Sequence, residues 1–160
     1  MENVHGTTVQ HGKHASGNVA AQVTSANILL VEDSYGDSLL MLAALNGAHI
    51  AYTLDRLDNG DDVLPYLENP ALEKLPDVIF LDMELPGTDG FEILGALAAA
   101  PPAIRAIPIV IMTIQSNFGY LQKKYDLSIC GYLTKPVKTE SVQTILATLP
   151  CFAAASPKAG

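Results

Sequence analysis

Short apolar runs alternate with helical patterns between residues 26 and 150 of the chain. The runs predict five β-strands, which lie at residues 26–33, 49–57, 76–87 (closed by a Pro-Gly turn), 107–113 and 131–134. The intervening segments place apolar residues at helical spacing. The segment after the last strand has an apolar face made of Val142, Ile145, Leu146 and Leu149. Strand and helix therefore alternate throughout this region.

This alternation predicts an α/β fold with a doubly wound, five-stranded parallel sheet and helices on both faces. The first and third runs are rich in leucine and β-branched residues, which is typical of strands buried on both faces. Ligands of such sheets bind outside the carboxyl ends of the strands, where the strand order reverses. The residues that end strands one, three, four and five are therefore the first candidates for chemistry.

Composition divides the chain into one folded block and two ends. Residues 1–25 are polar and aperiodic and predict a disordered tail, residues 26–150 form the folded domain, and residues 151–160 predict a flexible C-terminal end. The 160 residues are 49% hydrophobic and 16% charged, which excludes a wholly disordered chain. The apolar runs are far shorter than the about 20 residues of a membrane span, and the N-terminus lacks the pattern of a secretory signal.

The charge of the chain narrows the class of partner. Nine basic residues against 17 acidic ones leave a net charge of −8, which disfavours binding to nucleic acid and to anionic membranes. Cys130 and Cys151 are too few for a disulfide framework and fit a reducing compartment. We therefore expect a cytoplasmic protein.

Polar residues end four of the predicted strands. Glu32 and Asp33 follow the first strand, Asp82 the third and Thr113 the fourth, and Lys135 lies just past the fifth. Carboxylates held close together repel each other unless a cation neutralises them. Because an all-oxygen cluster suits Mg²⁺, these residues predict a magnesium site.

The same residues indicate phosphoryl chemistry. The sequence has no Walker-type phosphate loop, which disfavours nucleotide binding, and no evident Ser-His-Asp set. Lys135 would offer a fixed positive charge, and Thr113 a hydrogen-bond donor, to the oxygens of a phosphoryl group. The remaining interpretation is a carboxylate that itself accepts a phosphoryl group and forms an acyl phosphate.

Four motifs carry a resemblance to a known family. In chain order they are VEDSYGDSLLM, IFLDMELPGTDGFEIL, IVIMT and YLTKP. Together they resemble the receiver domain of two-component response regulators, which has a flavodoxin-like fold, and the resemblance covers about residues 26–150. The first motif is most similar to the single-domain regulators associated with phytochromes, whose loop also runs acid-acid-x-x-Gly-Asp.

The resemblance implies a phosphoacceptor beside a metal ion. Asp82 would accept the phosphoryl group and contribute to the Mg²⁺ site. Asp33 would ligate the ion directly, Glu32 would hold one of its water ligands, and the backbone carbonyl of Glu84 would complete the protein ligands.

The resemblance also implies three residues that respond to the phosphoryl group. Lys135 would pair with Asp82 at rest and with phosphoryl oxygens after transfer, and Thr113 would bond a phosphoryl oxygen. Tyr132 would be the aromatic side chain that changes exposure on activation. The Lys135–Pro136 peptide bond is predicted to be cis, because the chain must turn sharply while Lys135 points back at Asp82.

Two positions depart from the common pattern of the family. Ile114 is bulky where a small residue usually follows the threonine, and Glu84 is an extra acid two residues after Asp82. Both side chains are predicted to modulate access to the site, and to make phosphorylation by small donors slow.

These implications point to a single-domain response regulator rather than a conventional enzyme. It would receive its phosphoryl group from a sensor histidine kinase, for example one of phytochrome type, or from a histidine phosphotransfer protein. It would signal through a downstream protein partner or through a homodimer. Two alternatives stay open at this point: a docking module with a receiver fold that works without phosphorylation, and a Mg²⁺-dependent phosphohydrolase.

Overall fold

A sheet of six strands runs through the computed structural model, which describes residues 10–11 and 25–153. The strands are β1 (Gln10–His11), β2 (Ala26–Val31), β3 (Tyr52–Leu57), β4 (Val78–Asp82), β5 (Ile109–Thr113) and β6 (Ile129–Thr134). Their order across the sheet is β1-β3-β2-β4-β5-β6. Strands β2 to β6 pair in parallel, which confirms the predicted five-stranded parallel sheet.

Strand β1 adds an antiparallel edge that the sequence did not predict. Gln10 pairs with Leu54 and His11 with Thr53, so two residues of the segment expected to be disordered extend the sheet beside β3. A strand of two residues is too short to show the alternation on which strand prediction depends. The rest of the predicted tail, and the C-terminal end after residue 153, lie outside the described residues.

Helices cover both faces of the sheet. They are α1 (Tyr35–Gly47), α2 (Val63–Leu67), α3 (Gly90–Ala98), α4 (Pro102–Arg105), α5 (Leu121–Lys124), α6 (Thr139–Thr148) and α7 (Pro150–Ala153), with a 3₁₀ turn at Gly60–Asp62. The sequence of residues 116–127 predicts a helix between β5 and β6, but only the four residues of α5 are helical, and α4 is not predicted by the sequence pattern. No helix within residues 10–11 and 25–153 is long and apolar enough to cross a membrane.

Two apolar layers hold the helices on the sheet. One layer joins strand residues such as Leu29, Ile79 and Ile111 to α2, α3 and α5, and the other joins Leu30, Phe80 and their neighbours to α1 and α6. Because successive strand residues point to opposite faces, each strand supplies both layers. Strand β4 is the central one of the five parallel strands, and every residue of β4 and of its neighbour β5 is buried.

Turns and helix caps place the polar residues at the carboxyl edge. The Ser34 hydroxyl caps α1 by accepting a hydrogen bond from the Asp37 N–H at 3.2 Å, which fixes the chain just after Glu32 and Asp33. Gly87 adopts φ of 71° in the turn after β4, a conformation that favours glycine. The Lys135–Pro136 peptide bond is cis, as predicted.

Candidate functional site

Three carboxylates meet at the carboxyl edge of β2 and β4. Glu32 and Asp82 are each only 1% exposed, whereas Asp33 is exposed. Each offers an oxygen atom that lies within 4.8 Å of the corresponding oxygens of the other two. The structure thus brings together the three acidic side chains that the sequence analysis placed at the metal site.

Lys135 inserts its ammonium group among carboxylates from three elements. Its Nζ lies 3.0 Å from Asp82 Oδ2, 3.0 Å from Glu32 Oε2 and 3.1 Å from Asp37 Oδ2. Burial alone would lower the pKa of Lys135, but the carboxylates of Glu32 and Asp82 outweigh it and raise that pKa above its ordinary value. The lysine is therefore a permanent positive charge. Its contact with Asp37 was not predicted, although Asp37 stands in the first motif.

The surroundings of the Glu32 carboxyl group raise its pKa. Burial raises its pKa from 4.5 to about 7, and the nearby charge of Asp82 adds to this, while Lys135 opposes it. Its Oε1 accepts a hydrogen bond from the Ser34 N–H at 3.1 Å. Its buried Oε2 pairs with the Lys135 ammonium at 3.0 Å and has no other hydrogen-bond partner among the described residues, so it can also accept a hydrogen bond from a water ligand of a metal ion.

Arg56 fixes the backbone that carries the first two acids. Its Nε donates to the Glu32 carbonyl at 3.1 Å and to the Ser38 hydroxyl at 2.8 Å, and one terminal nitrogen donates to the Asp33 carbonyl at 3.0 Å. The sequence analysis missed this residue. The pairing of β2 with β3, which brings Arg56 opposite Leu30, is needed to see its role.

The phosphoacceptor candidate is held at both oxygens. Asp82 Oδ1 accepts a hydrogen bond from the Glu84 N–H at 2.9 Å, and Oδ2 contacts Lys135. The Thr113 hydroxyl, 2% exposed as a residue, donates to Glu84 Oε1 at 2.7 Å and accepts from the Gln115 N–H at 3.1 Å. The contact between the Glu84 side chain and Thr113 was not predicted.

The other two candidate side chains, those of Tyr132 and Ile114, differ in their exposure. Tyr132 is half-buried against the core layer of α3 and α5, and burial raises the pKa of its phenol. Its hydroxyl is buried and has no hydrogen-bond partner among the described residues. Ile114 is 68% exposed, so its side chain extends into solvent from the segment after β5.

The donor chemistry fits Mg²⁺. Glu32, Asp33 and Asp82 offer oxygen atoms alone, and the exposed position of Asp33 leaves room for water, which Mg²⁺ usually keeps. The excess of negative charge around Lys135 also favours a divalent cation. These three residues could therefore hold the ion.

Replacing Asp33 with asparagine should weaken Mg²⁺ binding by at least about tenfold, because it removes a charged ligand from the site. Isothermal titration of the chain with MgCl₂ measures the effect. The exposed Asp58 follows β3 at the same edge of the sheet, so Asp58→Asn removes one charge without touching the cluster. Equal weakening by the two substitutions would contradict the role given to Asp33.

The fold and the site define a class of protein. A family model described as the response regulator receiver domain matches residues 28–147. The chain therefore belongs to this family of two-component signalling proteins, and the resemblance drawn from its four motifs is confirmed.

Relatives include response regulators, one of which is named as a bacteriophytochrome response regulator. Response regulator Rcp1 of Synechocystis sp. is 34% identical over 111 residues, which cover 68% of this chain and 75% of that protein. The bacteriophytochrome response regulator RtBRR has a similar structure, with a TM-score of 0.70, 30% identity and 79% of each chain covered. A Mn²⁺-bound form of Rcp1 is also similar, with a TM-score of 0.64, 32% identity, and 78% of this chain and 95% of that chain covered.

Proposed function

We propose that this chain accepts a phosphoryl group on Asp82 and passes the signal on through protein contacts. The observation that carries the proposal is the position of Asp82, a buried carboxylate at the end of the central strand with Lys135 on one oxygen and two further acids beside it. The donor would be a phosphohistidine of a sensor histidine kinase or of a histidine phosphotransfer protein. The similarity to structures named as phytochrome and bacteriophytochrome response regulators favours a kinase of phytochrome type.

The transfer needs one bond to form and one to break. A carboxylate oxygen of Asp82 attacks the phosphorus atom, the P–N bond of phosphohistidine breaks, and its electron pair leaves with the imidazole. Lys135 and the Thr113 hydroxyl then donate hydrogen bonds to the oxygens of the transferred group. Bound Mg²⁺ would neutralise negative charge that develops on the phosphoryl oxygens. Hydrolysis of the acyl phosphate by water returns Asp82 to its resting state.

The experiment that tests this function is phosphorylation followed by intact mass measurement. With Mg²⁺ and either acetyl phosphate or a phosphorylated histidine phosphotransfer protein, the chain should gain the mass of one phosphoryl group, and hydroxylamine should remove it. No gain from either donor would instead support a docking module that works without phosphorylation.

The surface around the site supports a protein donor. Five large apolar side chains are exposed among the described residues: Tyr35, Leu39, Leu40, Ile114 and Tyr120. Three of them lie on α1, which begins beside the acids, and the other two lie in the segment between β5 and α5. A docking protein can bury such side chains, whereas acetyl phosphate gains nothing from them.

Replacing both Leu39 and Leu40 with alanine should therefore separate the two kinds of donor. We expect transfer from a cognate phosphotransfer protein to slow by about tenfold, because up to about 1.4 kcal/mol of docking energy is lost. The acetyl phosphate rate should not change, and serves as the control for an intact site. A variant that reacts normally with the protein donor would show that Leu39 and Leu40 do not contribute to docking.

Output would use the face made by α5, β6 and α6. Tyr132 lies on β6, and Lys123 and Lys124 give α5 local positive charge on an acidic protein. We propose that this face binds a downstream partner or a second copy of the chain. Phosphorylation-dependent NMR shifts confined to residues away from α5, β6 and α6 would contradict this assignment.

A further inference from the structure

The Glu84 side chain accepts a hydrogen bond from the Thr113 hydroxyl. In the proposed function, this hydroxyl donates to an oxygen of the phosphoryl group. Glu84 is an exposed residue, yet its carboxylate turns back to accept the Thr113 hydroxyl at 2.7 Å. The Thr113 oxygen also accepts a hydrogen bond from the Gln115 N–H at 3.1 Å. A hydroxyl has a single proton to donate, so Thr113 cannot bond Glu84 and a phosphoryl oxygen at full strength together.

We propose that Glu84 is a positioning residue for Thr113 and acts as an internal substitute for the phosphoryl oxygen. In the unphosphorylated chain its carboxylate holds the hydroxyl turned toward the site. Phosphorylation then exchanges one anionic acceptor for another, and the side chain that must move away is that of Glu84. This inference rests on the proposed function of Asp82 as the phosphoacceptor.

The backbone of Glu84 holds its side chain in the place that this role requires. The Glu84 N–H donates to Asp82 Oδ1 at 2.9 Å, so the residue is tied to the phosphoacceptor at one end and to Thr113 at the other. Hydrogen bonds with one charged partner are stronger than neutral ones, and here the acceptor of the Thr113 hydroxyl is a carboxylate. The contact therefore has the strength to set the orientation of the hydroxyl.

The position of Tyr132 agrees with a Thr113 hydroxyl that is already turned toward the site in the resting chain. Tyr132 pairs with Ile111 across β5 and β6, and Ile111 and Thr113 point to the same face of the sheet because they are two residues apart. Tyr132 is half-buried on this face with its hydroxyl in the interior. The Tyr132 ring therefore lies on the same face as Thr113, next to the strand that Thr113 ends, and its signals can report on a change at Thr113.

Two substitutions of Glu84 separate the hydrogen bond from the charge. Glu84→Gln and Glu84→Ala both remove the negative charge, but only glutamine keeps an oxygen that can accept the Thr113 hydroxyl. A comparison of these two variants therefore reports on the hydrogen bond, and Asp58→Asn serves as a further charge control at the same edge of the sheet.

The first measurement uses the resting chain without Mg²⁺ or phosphodonor. Three-bond NMR couplings to the Thr113 methyl carbon should show one χ1 rotamer in the parent chain and in Glu84→Gln, and averaged rotamers in Glu84→Ala. The Tyr132 ring signals, assigned with Tyr132→Phe, should shift in the alanine variant alone. A single unchanged Thr113 rotamer in all variants would overturn the proposal.

The second measurement is a titration with beryllofluoride in the presence of Mg²⁺, as a phosphoryl analogue. Because Glu84→Ala has no internal acceptor to displace, it should bind the analogue about two- to tenfold more tightly than Glu84→Gln, the factor that one net hydrogen bond contributes. Equal affinities of the two variants would also overturn the proposal. If beryllofluoride binds to none of the chains, the proposed function fails, while the couplings of the resting chain still decide the role of Glu84.

Discussion

Replacing Asp82 with asparagine should abolish the gain of a labile phosphoryl group, with both acetyl phosphate and a phosphohistidine donor. An amide nitrogen or oxygen is a far weaker nucleophile than a carboxylate oxygen, and it cannot form an acyl phosphate. We expect the extent of phosphorylation to fall by at least about 100-fold, to the limit of intact mass detection.

The geometry of the site makes Asp82 the expected nucleophile among its neighbours. Glu32 is equally buried, but its expected role is to hold a water ligand of the metal ion. Asp33 is exposed, and its expected role is to ligate the metal ion. Glu32 and Asp82 both have a backbone N–H on one oxygen and the Lys135 ammonium near the other, but only Asp82 ends the central strand, where the Glu84 N–H ties it to the residue that contacts Thr113.

Two controls show whether a loss of charge or a loss of the fold explains the result. Asp58→Asn removes an exposed acid from the same edge of the sheet and should leave the mass gain unchanged. Amide NMR spectra should show that Asp82→Asn keeps the fold, because asparagine has nearly the volume of aspartate and its side-chain oxygen can still accept the Lys135 proton. A labile mass gain that persists in Asp82→Asn would show that another residue is the phosphoacceptor.

The sheet could be predicted from sequence because its strands are buried on both faces. Runs such as the one that ends at Asp82 are continuous and apolar, and no amphipathic helix produces that pattern. Short helices and strands were harder to predict from the sequence. Strand β1 and helix α4 have two and four residues, too few for a period to show, and α5 is shorter than the apolar spacing around Leu121 suggested.

The site could be predicted as far as strand order brings residues to one edge. Glu32, Asp82 and Lys135 end or follow parallel strands, and this alone places them together. The hydrogen bonds between side chains of the site depend on side-chain direction instead. The bond from Thr113 to Glu84 spans 29 positions, and nothing in the local sequence marks it.

Replacing Lys135 with methionine should destabilise the metal-free chain at pH 8 by about 3–5 kcal/mol, which is a large part of the stability of a typical domain. The side chain of Lys135 is 10% exposed, and its two nearest partners, Glu32 and Asp82, are 1% exposed. Methionine fills a similar volume but leaves these carboxylates unpaired in the interior. Urea unfolding followed by circular dichroism in EDTA measures the loss.

Lys138 offers a matched control for this substitution. It lies three residues further along the chain and is exposed, and its side chain makes no capping hydrogen bond to α6. Lys138→Met removes the same charge and should change the free energy of unfolding by less than about 0.5 kcal/mol. A similar loss in both variants would mean that net charge, rather than the buried ion pairs, accounts for the effect.

The dependence of the Lys135→Met defect on pH and on Mg²⁺ identifies its cause. The pKa of Glu32 is already raised from 4.5 to about 7 by burial, and removal of the ammonium that opposes this shift raises it further. In both chains the folded state loses stability as pH rises above 4.5, because it binds a proton that the unfolded state does not, but in the parent this loss ends near pH 7, whereas in the variant it continues above pH 7. The defect should therefore be smaller at pH 5 than at pH 8, and at pH 8 saturating Mg²⁺ should restore part of the loss, because the cation neutralises the same carboxylates and binds only the folded state. A defect of equal size at both pH values and unchanged by Mg²⁺ would show that methionine fails by packing, and that the unpaired carboxylates are not the reason.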